Sequence, residues 1–149
     1  MPVQSRSRFE RFFRAAASLD VDKNDLKRYQ DFLDNKIYDL FLIAKASAKA
    51  NGRDVIQPTD LPITKGLQES IHEFRRLDEE IELTPILDIL AARPPLDVTI
   101  SDETEERLPN VAGGLSLALA RTFKIIDPGL KNPQTEHWSR VFQIFGQLL

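Results

Sequence analysis

Arg53 and Asp60 stand seven positions apart in the stretch NGRDVIQPTDLP, on either side of Val55 and Ile56. A cation and a carboxylate so placed serve equally as a catalytic or binding pair or as a clasp between two elements. Other groups able to do chemistry are sparse. His72 and His137 are the only histidines, and neither has a second histidine at i+3 or i+4. His72 with Glu69 supplies two metal ligands, too few for a structural zinc site. The chain has no cysteine, which removes disulfides, thiol nucleophiles and thiolate metal sites. No glycine-rich phosphate loop follows a strand, and no nucleophile elbow is present. Carboxylate pairs are numerous, but they fall in helix caps or on charged helix faces. The residues therefore point away from an enzyme, and call for no metal, cofactor or small-molecule substrate.

Polyanion binding is the other chemistry on offer. Arg6, Arg8, Arg11 and Arg14 cluster near the start, with Lys27, Arg28 and Lys36 following. Ser5 and Ser7 alternate with Arg6 and Arg8, the pattern of a flexible arm able to reach phosphates or a minor groove. A solvated terminus and polar helix faces account for the same residues. Net charge is −3, against a dedicated DNA-coating protein. Residues 1–66 carry 12 basic and 9 acidic side chains, and residues 67–149 carry 8 and 14, so the balance is +3 and then −6. A polyanion would meet the first half.

These residues need elements to hold them, and the apolar spacing predicts helices. Phe9, Phe12, Phe13 and Ala16 recur at i, i+3, i+4 and i+7, a short amphipathic helix. Asp22 with Asp25 makes a capping box. From there Leu26, Tyr29, Leu33, Ile37, Leu40, Ala44 and Ser47 mark one face of a long helix that Asn51-Gly52 ends. Tyr38 and Phe41 flank that stripe, and if exposed they would offer a face to a partner. RDVI reads as a short extended piece, Pro58 starts a short turn, and Thr64 caps a helix bearing Leu67, Ile71, Phe74 and Leu77. The aromatic residues Phe32, Phe41, Phe123, Phe142 and Phe145 keep helical spacing and read as core.

The pattern then repeats. Thr84-Pro85 opens a short helix that Pro94-Pro95 closes. Leu96-Asp97-Val98 matches Leu19-Asp20-Val21, and Gly129 matches Gly52, both at an offset of 77. Ser101 caps a second long helix with Leu108, Val111, Leu115, Leu119, Thr122 and Ile126 on its face. Pro109 predicts a kink, and Gly113-Gly114 a close crossing against the first long helix. A last helix, about 135–148, buries Trp138, Val141, Phe142 and Phe145. The expected organisation is all-α, with one unit over 1–66, a linker helix over 67–82 and a second unit over 83–149.

Short–long–short helices joined by loops with a brief extended piece resemble the histone fold. Lys45 with AKANGRDVIQPTDL, from Ala48 onward, is similar to the second loop and third helix of archaeal histones. The tandem arrangement resembles a bacterial family with two histone folds in one chain. The resemblance implies an intramolecular pseudodimer in which each unit covers the other's long helix. It also implies that Arg53 pairs with Asp60 as a structural clamp over Ile56. Leu130 replaces the arginine in the second unit, and the spacing slips by two at Pro133, so that clamp is not repeated.

In the histone arrangement the first loop of one unit lies beside the second loop of the other, facing phosphates. Here one such patch would combine Asp20, Asp22, Lys23 and Asp25 with Asp127 and Lys131. The other would combine Arg93, Asp97, Asp102 and Glu103 with Arg53 and Asp54. Both sum to −2, which opposes phosphate binding. The expectation is a cytoplasmic protein-interaction or assembly module that binds a partner or itself. The alternative is a nucleoid DNA binder making weak, sequence-independent duplex contact through Arg6, Arg8, Arg11, Arg14, Lys27, Arg28 and Arg53. No apolar run is long enough to span a bilayer.

Overall fold

The computed structural model describes residues 3–90 and 97–149. Arg93, Pro94, Pro95 and Leu96 lie outside them. Helix accounts for 77% of the structure, so the chain is all-α. In order, the elements are α1 (Val3–Ala17), α2 (Lys23–Ala50), β1 (Val55–Ile56), a 3-10 turn (Pro58–Asp60), α3 (Lys65–Ile81), α4 (Thr84–Leu90), β2 (Thr99–Ile100), α5 (Asp102–Ile126) and α6 (Thr135–Leu148).

Local chemistry sets most of these boundaries. Asp22 accepts from Asp25 N at 2.8 Å, and Asp25 accepts in return from Asp22 N at 2.9 Å, so two otherwise unpaired donors at the start of α2 are satisfied. Gly52, at φ +70°, takes the left-handed conformation that lets Arg53 N reach Ala48 O and stop α2. Gly129 has no positive φ. Asp127 ends α5 in an extended conformation instead, so the shared offset of 77 marks like positions with different backbone geometry. The carboxylate of Asp78 receives Leu83 N and Thr84 N at the start of α4.

The N-terminal arginines are not on an arm. The first helix begins at Val3 rather than near Phe9 and carries Arg6 and Arg8 in its first turns. The apolar run Phe9, Phe12, Phe13 is fully buried, and it anchors enough of the helix for the polar turns before it to follow cooperatively. Phe41 is buried, as its helical spacing implies, and Tyr38, Leu42 and Ile43 make the exposed face of the helix. The helix is turned so that Phe41 joins the core stripe.

The centre of the molecule is α5. Every residue from Leu108 to Leu117 is buried except Asn110, far beyond the single face that the leucine spacing marks. A helix buried nearly all round is a core helix. It runs unbroken through Pro109. The glycine pair does mark a close approach, but the partner is α3 and not α2. A Cβ on Gly113 would enter the ring of Phe74, and one on Gly114 would meet Ile71. Removing both Cβ atoms lets the two helices come closer than alanines would allow.

The long helix α2 is covered by three neighbours. Its Tyr29 packs edge-on against Phe9 and Phe13 of α1, at centroid distances of 5.2 and 5.1 Å. Its Phe32 lies against Phe142 and Phe145 of α6, at 5.9 and 4.9 Å. Tyr29 also meets α5, where its hydroxyl lies 2.7 Å from Ser116 Oγ.

The loops join crosswise. The strand after α2 pairs in parallel with the one before α5, Val55 opposite Thr99 and Ile56 opposite Ile100. At the far end, Asp20 N, before α2, donates to Lys131 O, after α5, at 2.7 Å. Each long helix therefore ends beside the start of the other. Among the described residues, no helix is long and apolar enough to cross a membrane.

Candidate interaction surfaces at the two loop junctions

The first junction is built on β1 and β2. Arg53 emerges from the turn that Gly52 permits, and Asp60 closes the 3-10 turn that Pro58 begins. The two face each other: Arg53 Nη1 to Asp60 Oδ2 is 2.6 Å, and Nη2 to Oδ1 is 2.8 Å. Ser47 Oγ at 3.0 Å and Gln57 N at 2.8 Å complete the carboxylate's acceptor sites. Arg53 Nη1 also reaches Val55 O at 3.2 Å. The Asp60 side chain is 2% exposed and that of Arg53 34%, so the carboxylate is the buried member. The Arg53 hydrogen bonds hold its pKa far below the ordinary 3.8, helped by Gln57 N and Ser47 and opposed by burial. Ile56 lies between them, fully buried. Thr104, which no sequence pattern singles out, donates to Ile56 O at 2.9 Å and ties α5 to the same loop.

A cleft of about 400 Å³ opens beside this clasp, lined by Lys45, Lys49, Arg53, Asp54 and Asp97. Three cations against two carboxylates give +1. The cleft draws on a different set from the patch expected to sum to −2: Asp102 and Glu103 do not line it, and the last turns of α2 bring in two lysines. Their i, i+4 spacing just ahead of Gly52 is the signal that could have found them. Neither lysine has an ion-pair partner among the described residues.

The second junction is fastened differently. Leu130, in place of the arginine, is buried, and Lys124 Nζ donates to its carbonyl. His137 Nδ1 accepts from Gln134 N at 2.9 Å, and its Nε2 faces Asp127 Oδ2 at 3.4 Å. Asp25 Oδ1 receives the indole N–H of Trp138 at 2.8 Å, so the capping carboxylate of α2 also holds α6. Burial raises the pKa of Asp25, while the Asp22 N–H and Trp138 hydrogen bonds oppose the rise. The cleft here, about 340 Å³, is lined by Asp20, Asp22, Asp25 and Arg28 among others. It stays acidic.

Of the cations proposed for DNA, most are engaged inside the molecule. Arg6 pairs with Glu10 at 3.5 Å, Arg14 with Asp20 at 3.4 Å, and Arg53 with Asp60. Arg8 donates to Glu82 O at 3.2 Å and Arg28 to Thr135 Oγ1 at 2.9 Å. Arg11 and Lys27 remain exposed. The Arg6 and Arg14 pairs are on the surface and worth little, so those two side chains are free to exchange partners. Glu69 pairs with Lys65 rather than with His72. Among the described residues, no cluster of three His, Asp or Glu could hold a metal ion.

A family model described as a domain of unknown function, DUF1931, matches residues 9–146. The chain belongs to this family. A crystal structure of a Thermus thermophilus protein is 57% identical, with a TM-score of 0.84 over 96% of this chain and 97% of that one. A 1.9 Å crystal structure of an Aquifex aeolicus protein is 26% identical, with a TM-score of 0.85 over 97% of this chain and 95% of that one. An uncharacterised protein of Aquifex aeolicus (strain VF5) is 28% identical over 137 residues, 92% of this chain and 80% of its own length. The likeness in shape is about the same at 57% and at 26% identity.

Proposed function

We propose that the protein is a non-enzymatic tandem histone-fold pseudodimer that acts as a protein-interaction and assembly module. The histone reading is supported by the crosswise loops: the β1–β2 bridge at one end and the Asp20–Lys131 contact at the other. The interaction reading is carried by the outer face of α2, where Tyr38, Leu42 and Ile43 are 38%, 42% and 57% exposed at i, i+4 and i+5. Large apolar side chains grouped on a long, rigid helix are the kind of surface that partners cover. A photo-crosslinking amino acid at position 42, compared with one at exposed Glu79, tests it in cells. A discrete adduct at 42 and none at 79 is expected; identical smears at both positions sink the reading.

A second reading rests on Lys45 and Lys49 in the β1–β2 cleft. In it the protein is nucleoid-associated and makes weak, sequence-independent contact with duplex DNA. Phosphate contacts release counterions, so binding must fall with salt. A gel-shift titration of duplex DNA decides it. A salt-sensitive shift that Lys45→Ala with Lys49→Ala abolishes supports this reading, and no shift at about 50 mM salt rules it out.

A further inference from the structure

A groove of about 610 Å³ runs between α3 and α5, closed at one end by the segment that follows the 3-10 turn. Its floor is apolar: Leu61 and Val111 are buried, and Ile63 and Ile71 are half-buried. Gly113 and Gly114 press α3 onto α5 beside it, which fixes the two walls. The rim carries exposed Arg75 from α3 and exposed Arg107 from α5, with His72 and Asn110 next to them. Neither arginine has a hydrogen-bond or ion-pair partner among the described residues, in contrast to Arg6, Arg8 and Arg14 of α1. No carboxylate lines the groove, whereas both loop-junction clefts contain them.

We propose that this groove binds an acidic peptide segment of a partner protein, with an apolar side chain on the floor and flanking carboxylates on Arg75 and Arg107. The inference rests on the interaction reading above. The charge is complementary: guanidiniums form forked, charge-assisted bonds to carboxylates. Nucleic acid would leave the apolar floor uncovered. A second copy of this chain is a poor donor, because its acidic runs, Asp78–Glu82 and Asp102–Glu106, sit on helices whose adjoining Ile81, Leu83 and Leu108 are already buried.

The probe is a short fluorescein-labelled peptide with a Leu-Phe centre and glutamates on both sides, followed by anisotropy with the full chain at low salt. Saturable binding is expected. The same peptide with glutamines should bind about tenfold more weakly, and Arg75→Glu with Arg107→Glu should cost at least as much. Arg140→Glu, an exposed arginine on α6, should leave binding unchanged. Absence of binding, or equal losses in the α6 variant and the double variant, overturns the proposal. So does a change in sedimenting mass of the double variant with peptide binding intact, since the groove would then join copies of this chain. A position-42 adduct without peptide binding overturns the groove alone. Peptide binding without an adduct keeps the groove and removes the α2 stripe.

Discussion

The hydroxyls of Tyr29 and Ser116 lie 2.7 Å apart, shut away from solvent, where α2 meets α5. Ser116 donates its own hydrogen to Ala112 O at 2.7 Å, so the phenol is the donor of the pair. Burial pushes the Tyr29 pKa well above 10.0, and the phenol stays protonated. The two deletions should therefore be unequal. Tyr29→Phe removes the donor and leaves Ser116 its carbonyl, a loss of about 1 kcal/mol. Ser116→Ala strands a buried O–H and should cost about 1–3 kcal/mol. Urea unfolding of both variants measures the difference. Equal losses would mean that the phenol finds another acceptor.

Glycines separate in the same assay. Gly113→Ala forces a methyl group into the Phe74 ring, and overpacking of that kind costs about 1–3 kcal/mol. Gly146, inside α6, has open space around its missing Cβ. Gly146→Ala should therefore raise stability by up to about 1 kcal/mol through helix propensity alone. Phe74→Leu in the Gly113→Ala background should recover part of the first loss if the clash is with the ring.

The clasp should set the acid limit of the fold. The Asp60 carboxylate has a folded pKa depressed below 3.8. Its contribution is fully present above 3.8 and is lost as pH falls toward the folded pKa. Asp60→Asn should cost about 2–3 kcal/mol at neutral pH, and the gap to the wild type should narrow below about pH 4. Thermal melts from about pH 7 to about pH 2 check both statements. A gap independent of pH would show that Asp60 acts by shape alone. Arg53→Ala should lower Tm at neutral pH and leave DNA or peptide affinity nearly untouched; the reverse result would make Arg53 a binding residue.

Asp25 runs the other way. Its folded pKa is raised, chiefly by burial, so the ionised form is the disfavoured one and the site relaxes as pH falls through that raised value. The Trp138 N–H bond matters most while the carboxylate is charged. Trp138→Phe should therefore be more destabilising at about pH 7 than at about pH 4, over a constant packing loss. A penalty equal at both pH values would assign the whole effect to packing.

What could be read in the sequence was local. Asp22, Ser101 and Thr64 announce helix starts because a side-chain oxygen caps the N–H groups a few residues on, and Asn51-Gly52 announces a stop. Those rules act within one turn, and the long helix expected up to Asn51 is α2, Lys23–Ala50. The clasp was legible because Arg53 and Asp60 lie on one short loop.

Long-range packing decided the rest. Only the fold shows that Gly113 and Gly114 make room for α3, that Arg6 and Arg8 are helical and partnered, and that Leu42 and Ile43 are left exposed on α2. Lys45 and Lys49 enter the β1–β2 cleft for the same reason: the charge of a surface depends on which distant turns share it. Capping and periodicity are properties of neighbours along the chain. Close approach, burial and the charge of a cleft belong to neighbours in space, and for this protein those are set by how α3 and α2 lie against α5.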